Sequence, residues 1–259
     1  MKLTGTIAIL GVLFHLPAAF AAECRAVSGS HRVALLELYT SEGCDSCPPA
    51  DLWVSRLPAR GLGPERVVVL GFHVDYWDRL GWPDPFAQKV FTERQQMASA
   101  RNRARFVYTP QLLLNGKDFR AGYSRDDPVP SIAAVNQRPP GAALEIAVKA
   151  VDANRLTVSG TAVIRNTAAG PVHAYFALYE NRLASRVERG ENRGRTLEHD
   201  FVVRRLAGPL AVEPHGATAL HHTFQLKRGW KRDDLHVVAF VQEGISGDVL
   251  QALDLAACN

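Results

Sequence analysis

The chain has 259 residues, 47% hydrophobic and 22% charged, proportions that fit a folded soluble protein and exclude a disordered or collagen-like one. Thirty Lys and Arg against 26 Asp and Glu give a formal charge of +4, with the arginines spread through both halves, so no basic stripe points to nucleic acid. At this length the chain makes one large domain or two modest ones.

The N-terminus reads as an export signal. Met1-Lys2 gives a positive start, residues 7–20 are largely apolar, and Ala19-Phe20-Ala21 has the small-x-small form of a cleavage site, so residues 1–21 are expected to be a signal peptide. Cys24 invites lipid attachment, but Glu23 stands where a small residue is needed. No later stretch reaches the ~18 apolar residues of a membrane span. A periplasmic or secreted location follows, with no membrane span and no nucleic-acid partner.

Residues 31–39 form an apolar run expected to be a strand. It leads into Gly43-Cys44-Asp45-Ser46-Cys47-Pro48-Pro49, after which Leu52, Trp53 and Leu57 recur at helical spacing. Prolines are tolerated in a first helical turn, where their missing N–H costs nothing, so the C-x-x-C motif should cap a helix over 50–57. Residues 67–74 are continuously apolar, as in a strand covered on both faces. An aromatic turn segment at 75–83 precedes a helical stretch at 86–103. Residues 107–116 form a strand led by Thr109-Pro110 and closed by Asn115-Gly116, a hairpin signal, with a return strand at 119–123 and a helix at 126–135. Strands alternating with helices make an α/β layout.

Residues 137–141 (Gln-Arg-Pro-Pro-Gly) read as a linker. Beyond it, runs at 144–149, 156–164, 172–179, 197–204, 219–226, 235–242 and 249–253 read as short strands with polar turns and no helix, which suggests an antiparallel β-sandwich. The expected domains are therefore 22–138, carrying the C-x-x-C motif, and 139–259. Four cysteines remain after the signal. Cys44 and Cys47 form the local pair. Cys24 and Cys258 lie near the two chain ends, which often meet in space, so a structural Cys24–Cys258 disulfide is expected, although sequence alone leaves three connectivities open.

Several strings carry a resemblance: Glu37-Leu38-Tyr39-Thr40-Ser41-Glu42-Gly43-Cys44-Asp45-Ser46-Cys47-Pro48-Pro49-Ala50-Asp51, Phe72-His73-Val74-Asp75-Tyr76-Trp77-Asp78, Tyr108-Thr109-Pro110-Gln111 and Gly190-Glu191-Asn192-Arg193-Gly194-Arg195. They resemble the secreted bacterial family catalogued as domain of unknown function 1223, within the thioredoxin superfamily. The resemblance implies a thioredoxin-like α/β domain, a mixed sheet with flanking helices, ahead of the all-β sandwich-like domain. It also implies that Cys44 is the exposed nucleophilic thiol, Cys47 the buried resolving thiol, and Pro110 a cis-proline preceded by Thr109. Glu37 lies one residue from the position of the buried acid that assists the resolving thiol. Asp45, Ser46, Trp77, Tyr108 and Gln111 are then expected to wall a substrate groove.

The chemistry agrees. Unpaired N–H groups at a helix N-terminus stabilise a thiolate, and i, i+3 spacing lets the second thiol resolve a mixed disulfide. A carboxylate at Asp45, beside the sulfur, works against the thiolate and points to a milder dithiol than the strong periplasmic oxidants. The expected function is an exported thiol–disulfide oxidoreductase that needs no cofactor beyond the Cys44–Cys47 disulfide. Its partners are a thiol- or disulfide-containing protein substrate and a redox partner. The alternative is a periplasmic Cu or Zn carrier, with Cys44, Cys47 and His73 as ligands, or a partner-binding protein without redox turnover. The mixed-charge segment 186–195 reads as solvated surface or as a loop folded back over the dithiol, and His199, His221 and His222 read as non-catalytic.

Overall fold

The computed structural model describes residues 23–120, 127–166 and 168–257. The expected signal peptide and Cys258 lie outside the described residues. In chain order the elements up to residue 139 are β1 (Glu23–Val27), β2 (Ala34–Thr40), α1 (Pro48–Ser55), β3 (Val67–His73), α2 (Lys89–Arg101), β4 (Gln111–Leu114), β5 (Lys117–Asp118) and α3 (Val129–Asn136). After it come β6 (Ala142–Asp152), β7 (Arg155–Ile164), β8 (Val172–Glu180), β9 (Leu183–Arg186), β10 (Thr196–His199), β11 (Val202–Val212), β12 (Ala217–Gln225), β13 (Leu235–Glu243) and β14 (Val249–Ala256).

The expectation of a thioredoxin-like α/β domain with flanking helices, followed by a sandwich-like all-β domain, is not met. The structure is mostly β, and its described residues contain three α-helices. Its largest unit is an eight-stranded sheet ordered β14-β13-β8-β11-β3-β2-β4-β5, which draws strands from both sides of residue 139. A four-stranded antiparallel sheet, β1-β6-β7-β12, packs against part of it, and β9 and β10 form a separate hairpin. The join between the halves is parallel pairing of β11 with β3 at Val202 opposite Gly71. The Gly71 N–H donates to the Phe201 carbonyl at 2.8 Å. A Cβ at position 71 would stand 3.3 Å from that oxygen, so a glycine inside this apolar strand lets another backbone come close.

β2 and β3 are buried at every position, as strands covered on both faces should be. Alternation along β2 then sorts its side chains. Leu36 and Leu38 pack with Ala50 and Val54 of α1 and Ile132 of α3. Leu35 and Tyr39 point the other way, into a core with Phe72, Phe91 of α2, Tyr175 and Phe240. A third core lies between the two larger sheets, around Ile146, Val158, Phe176, Phe224 and Val237. The dithiol sits where β2 runs into α1, on the Leu36–Leu38 side.

Candidate functional site

Cys44 and Cys47 form a disulfide, with Cα atoms 5.4 Å apart. The turn that carries it is closed by backbone bonds from Cys44 N–H to Ser41 O and from Cys47 N–H to Cys44 O. Cys47 is the N-cap of α1, Pro48 and Pro49 fill the first turn, and the Ala50 and Asp51 N–H groups both donate to the Cys47 carbonyl. Gly43 is needed here for space, since a Cβ would lie 3.2 Å from the Trp77 Cβ. The C-x-x-C motif therefore caps a helix, as its sequence implies. Both cysteines are wholly buried, however, so Cys44 does not present the exposed sulfur that the resemblance implied.

Asp45 and Ser46, between the cysteines, are exposed, and the Ser46 hydroxyl lies 3.4 Å from Cys44 Sγ. Ser46 also lines a cavity of about 330 Å³ with Phe106, Tyr108, Thr109, Pro110 and Phe119. The Thr109–Pro110 peptide is cis. Trp77 does not line this cavity; its indole N–H donates to Thr109 Oγ1 at 2.8 Å and ties the proline loop to the turn of Gly43. Gln111 is buried and accepts from Gln95, whose amide also donates to the Tyr108 carbonyl. Of the expected groove residues, Ser46 and Tyr108 line the cavity, while Trp77 and Gln111 hold its wall in place. Neither cysteine lines this cavity, nor a cavity of about 360 Å³ elsewhere that is lined by Pro58, Phe201 and Asp234 among others.

Glu37 is not brought to the dithiol. It is one residue out of step with Leu36 and Leu38 and so belongs to the opposite face of β2, where it accepts from Arg94 Nε at 2.6 Å and from the Tyr39 hydroxyl at 3.3 Å. The carboxylates that flank the disulfide turn are instead Glu42 and Asp51.

The hairpin of β9 and β10 carries the segment between them over this turn. Asn192, wholly buried, donates from Nδ2 to the carbonyls of both Glu42 and Cys44, each at 2.9 Å. Next to it, Glu191 Oε2 accepts from the Asp45 N–H at 3.1 Å. Of the two readings of residues 186–195, folding back over the dithiol matches these contacts.

Beside the turn lies a buried cluster that the sequence reading missed. Glu42 accepts from the Trp82 indole N–H (2.8 Å), the Ser185 hydroxyl (3.0 Å) and His199 Nε2 (3.2 Å). His199 Nδ1 faces Asp51 Oδ1 at 3.9 Å, too far for a hydrogen bond, and has no hydrogen-bond partner. Asp51 Oδ2 accepts from the Thr40 hydroxyl. His73 packs edge-on against the His199 ring and donates from Nδ1 to Asp84 Oδ2 at 2.7 Å. Burial alone would push the His199 imidazole down, but Asp51 and Glu42 drive it up to about 10. Burial likewise opposes ionisation of Asp84, but His73 and the N–H groups of Glu42 and Phe86 hold it below the usual carboxylate range. His73 thus meets a histidine and carboxylates rather than completing a Cys44–Cys47 metal site: the donor atoms that converge are those of Asp51, His73 and His199. The local signal was a histidine at the end of β3 with acids on both sides of the motif; His199 enters through strand pairing that no local pattern reveals.

Fold and site together define a predominantly β protein with a covered C-x-x-C disulfide at a helix N-terminus. The chain belongs to the family described as protein of unknown function (DUF1223), whose model matches residues 35–242. Its fold is similar to that of protein AGR_C_4864 from Agrobacterium tumefaciens, at 24% identity and a TM-score of 0.58, covering 88% of this chain and 96% of that one. It is also similar to HBP35 of Porphyromonas gingivalis, at 15% identity and a TM-score of 0.65, covering 89% and 76%. No curated protein matches the chain.

Proposed function

We propose that the protein is an exported thiol–disulfide oxidoreductase whose Cys44–Cys47 couple exchanges with a protein thiol or disulfide at the Thr109–Pro110 cavity. The observation that carries this reading is the disulfide at the N-terminus of α1 with its intervening Ser46 lining the same cavity as Pro110. The dipole of α1 favours the thiolate, although Pro48 and Pro49 offer no N–H and those of Ala50 and Asp51 are taken by the Cys47 carbonyl, and three-residue spacing keeps the resolving thiol within reach. In the reduced protein, the Cys44 thiolate attacks a substrate disulfide. One substrate sulfur leaves as thiolate and a mixed disulfide forms on Cys44. Cys47 gives up its proton and attacks Cys44 Sγ, which re-forms the internal disulfide and releases the second substrate thiol. A dithiol partner then returns two electrons to the couple. Because both sulfurs are covered, the turn that carries them has to open before a substrate reaches them, and Asn192 is bonded to the backbone of that turn. Export rests on the N-terminal pattern of residues 1–21. Among the described residues, no helix is long and apolar enough to cross a membrane.

Trapping tests the exchange step. Cys47→Ala is expected to accumulate mixed disulfides on Cys44 in cells, and Cys44→Ala with Cys47→Ala is expected to lower insulin reduction to background. Equal insulin reduction by wild type and the double variant, with nothing trapped by Cys47→Ala, would remove the exchange reading.

A further inference from the structure

We propose that Asp51, His73 and His199 form a three-ligand site for a first-row divalent cation of the Zn²⁺ class, distinct from the dithiol. One donor atom from each residue lies within 4.8 Å of the other two, and all three residues are buried. What makes this more than a cluster of charged groups is the way each remaining polar atom is occupied.

His199 Nε2 is bonded to Glu42, which leaves Nδ1 as its ligating nitrogen once a cation takes the place of the Nδ1 proton, and that nitrogen is buried with no hydrogen-bond partner. His73 donates from Nδ1 to Asp84, which leaves Nε2 as its ligating nitrogen. Asp51 Oδ2 is held by Thr40, and Asp51 Oδ1 is the atom that faces His199 Nδ1. Metal-binding histidines are typically held in this manner, with the second ring nitrogen bonded to a carboxylate that sets tautomer and orientation.

Charge is compatible with such an ion. Glu42, Asp51 and Asp84 are buried acids, and among the described residues the ion pairs they make are with His73 and His199 alone. Even with both rings protonated, three carboxylates against two imidazoliums leave a net negative charge inside the protein. A divalent ion with both rings neutral carries the same two positive charges, so it offsets these acids as well as two imidazoliums do, and it also gives His199 Nδ1 a partner. Bond lengths of ~2.0–2.1 Å set tetrahedral ligands roughly 3.3 Å apart, so the 3.9 Å Asp51–His199 pair closes by about half an ångström and the widest pair, within 4.8 Å, by up to about 1.5 Å. Two imidazoles and a carboxylate suit Zn²⁺, which commonly takes three protein ligands and leaves a fourth position for water. Bound there, the ion clips α1 and β3 to β10 beside the turn that carries the disulfide.

This site does not depend on the redox reading, and the test keeps the two apart by using oxidised protein, in which neither sulfur is a thiolate. Full-length wild type, dialysed against Zn²⁺ alone, is expected to retain about one ion per chain. X-ray absorption of the loaded protein is expected to show nitrogen and oxygen neighbours including imidazole, and no sulfur. His199→Ala is expected to weaken binding by at least about 100-fold, and Glu42→Gln, which loosens only the outer partner, by about 10- to 100-fold. Absence of retained Zn²⁺ in the oxidised wild type overturns the proposal, as does sulfur in its absorption spectrum or unchanged affinity in a folded His199→Ala variant. The absorption measurement decides the matter if His199→Ala does not fold.

Discussion

Replacing Arg94 by Met is expected to lower the unfolding free energy by about 3–5 kcal/mol, the usual cost of breaking a buried ion pair from one side. Arg94 and Glu37 are both buried, with Nε donating to Oε1 at 2.6 Å. The guanidinium also lies over the rings of Phe72, Tyr175 and Phe240 at 5.7, 5.2 and 5.0 Å, where methionine can fill the space but cannot carry the charge. Glu37 would then be a carboxylate in an apolar core, with the Tyr39 hydroxyl as its remaining side-chain partner among the described residues. Glu37→Gln added to Arg94→Met should therefore recover part of the loss, because a neutral amide removes the stranded charge. Urea unfolding of the wild type and both variants measures this. A loss below about 1 kcal/mol for Arg94→Met would show that the pair is solvated, contrary to its burial.

Asn192→Ala is expected to speed reduction of the Cys44–Cys47 disulfide by dithiothreitol about ten- to hundredfold while the overall fold persists. The side chain makes two hydrogen bonds to the backbone of the disulfide turn, and removing them leaves two carbonyls without that donor. Such a loss costs about 1–3 kcal/mol, which goes into the local opening that exposes the sulfurs. The motif itself is untouched, so a faster rate reports access and not altered thiol chemistry. Quenched alkylation followed by mass spectrometry gives the rate. An unchanged rate in a folded Asn192→Ala variant would mean that the covering loop does not control access.

The parts of this site that are local in sequence were legible there. A strand running into Cys44, a helix starting at Pro48 and a Thr-Pro pair ahead of β4 are each set by neighbours within a few residues, and the cis peptide at Thr109–Pro110 matches what the family resemblance implied. Glu37 was misplaced although counting by two along β2 puts it out of step with Leu36 and Leu38. The shared eight-stranded sheet was not legible, because the contact joining its halves depends on a single glycine and on the Phe201 carbonyl far along the chain. Gly71, alone in an apolar run, was its one trace. The segment 186–195 shows the limit of composition: its charges describe an outer face, while the asparagine among them makes the buried contact. His199 was read as non-catalytic and its place beside the turn was missed for the same reason as the sheet, since its partners Glu42 and Asp51 arrive through long-range pairing.

The central claim is that Cys44–Cys47 is an exchanging couple and not a fixed staple, and its reduction potential tests that most directly. The carboxylates of Asp45 and Glu191 at the mouth of the turn disfavour thiolate, while the dipole of α1 favours it. Titration of the full-length protein against glutathione buffers is therefore expected to place the couple between about −300 and −120 mV, more reducing than the strong periplasmic oxidants yet within reach of physiological dithiols. A potential below about −300 mV, where structural disulfides resist the glutathione pool, would contradict the account.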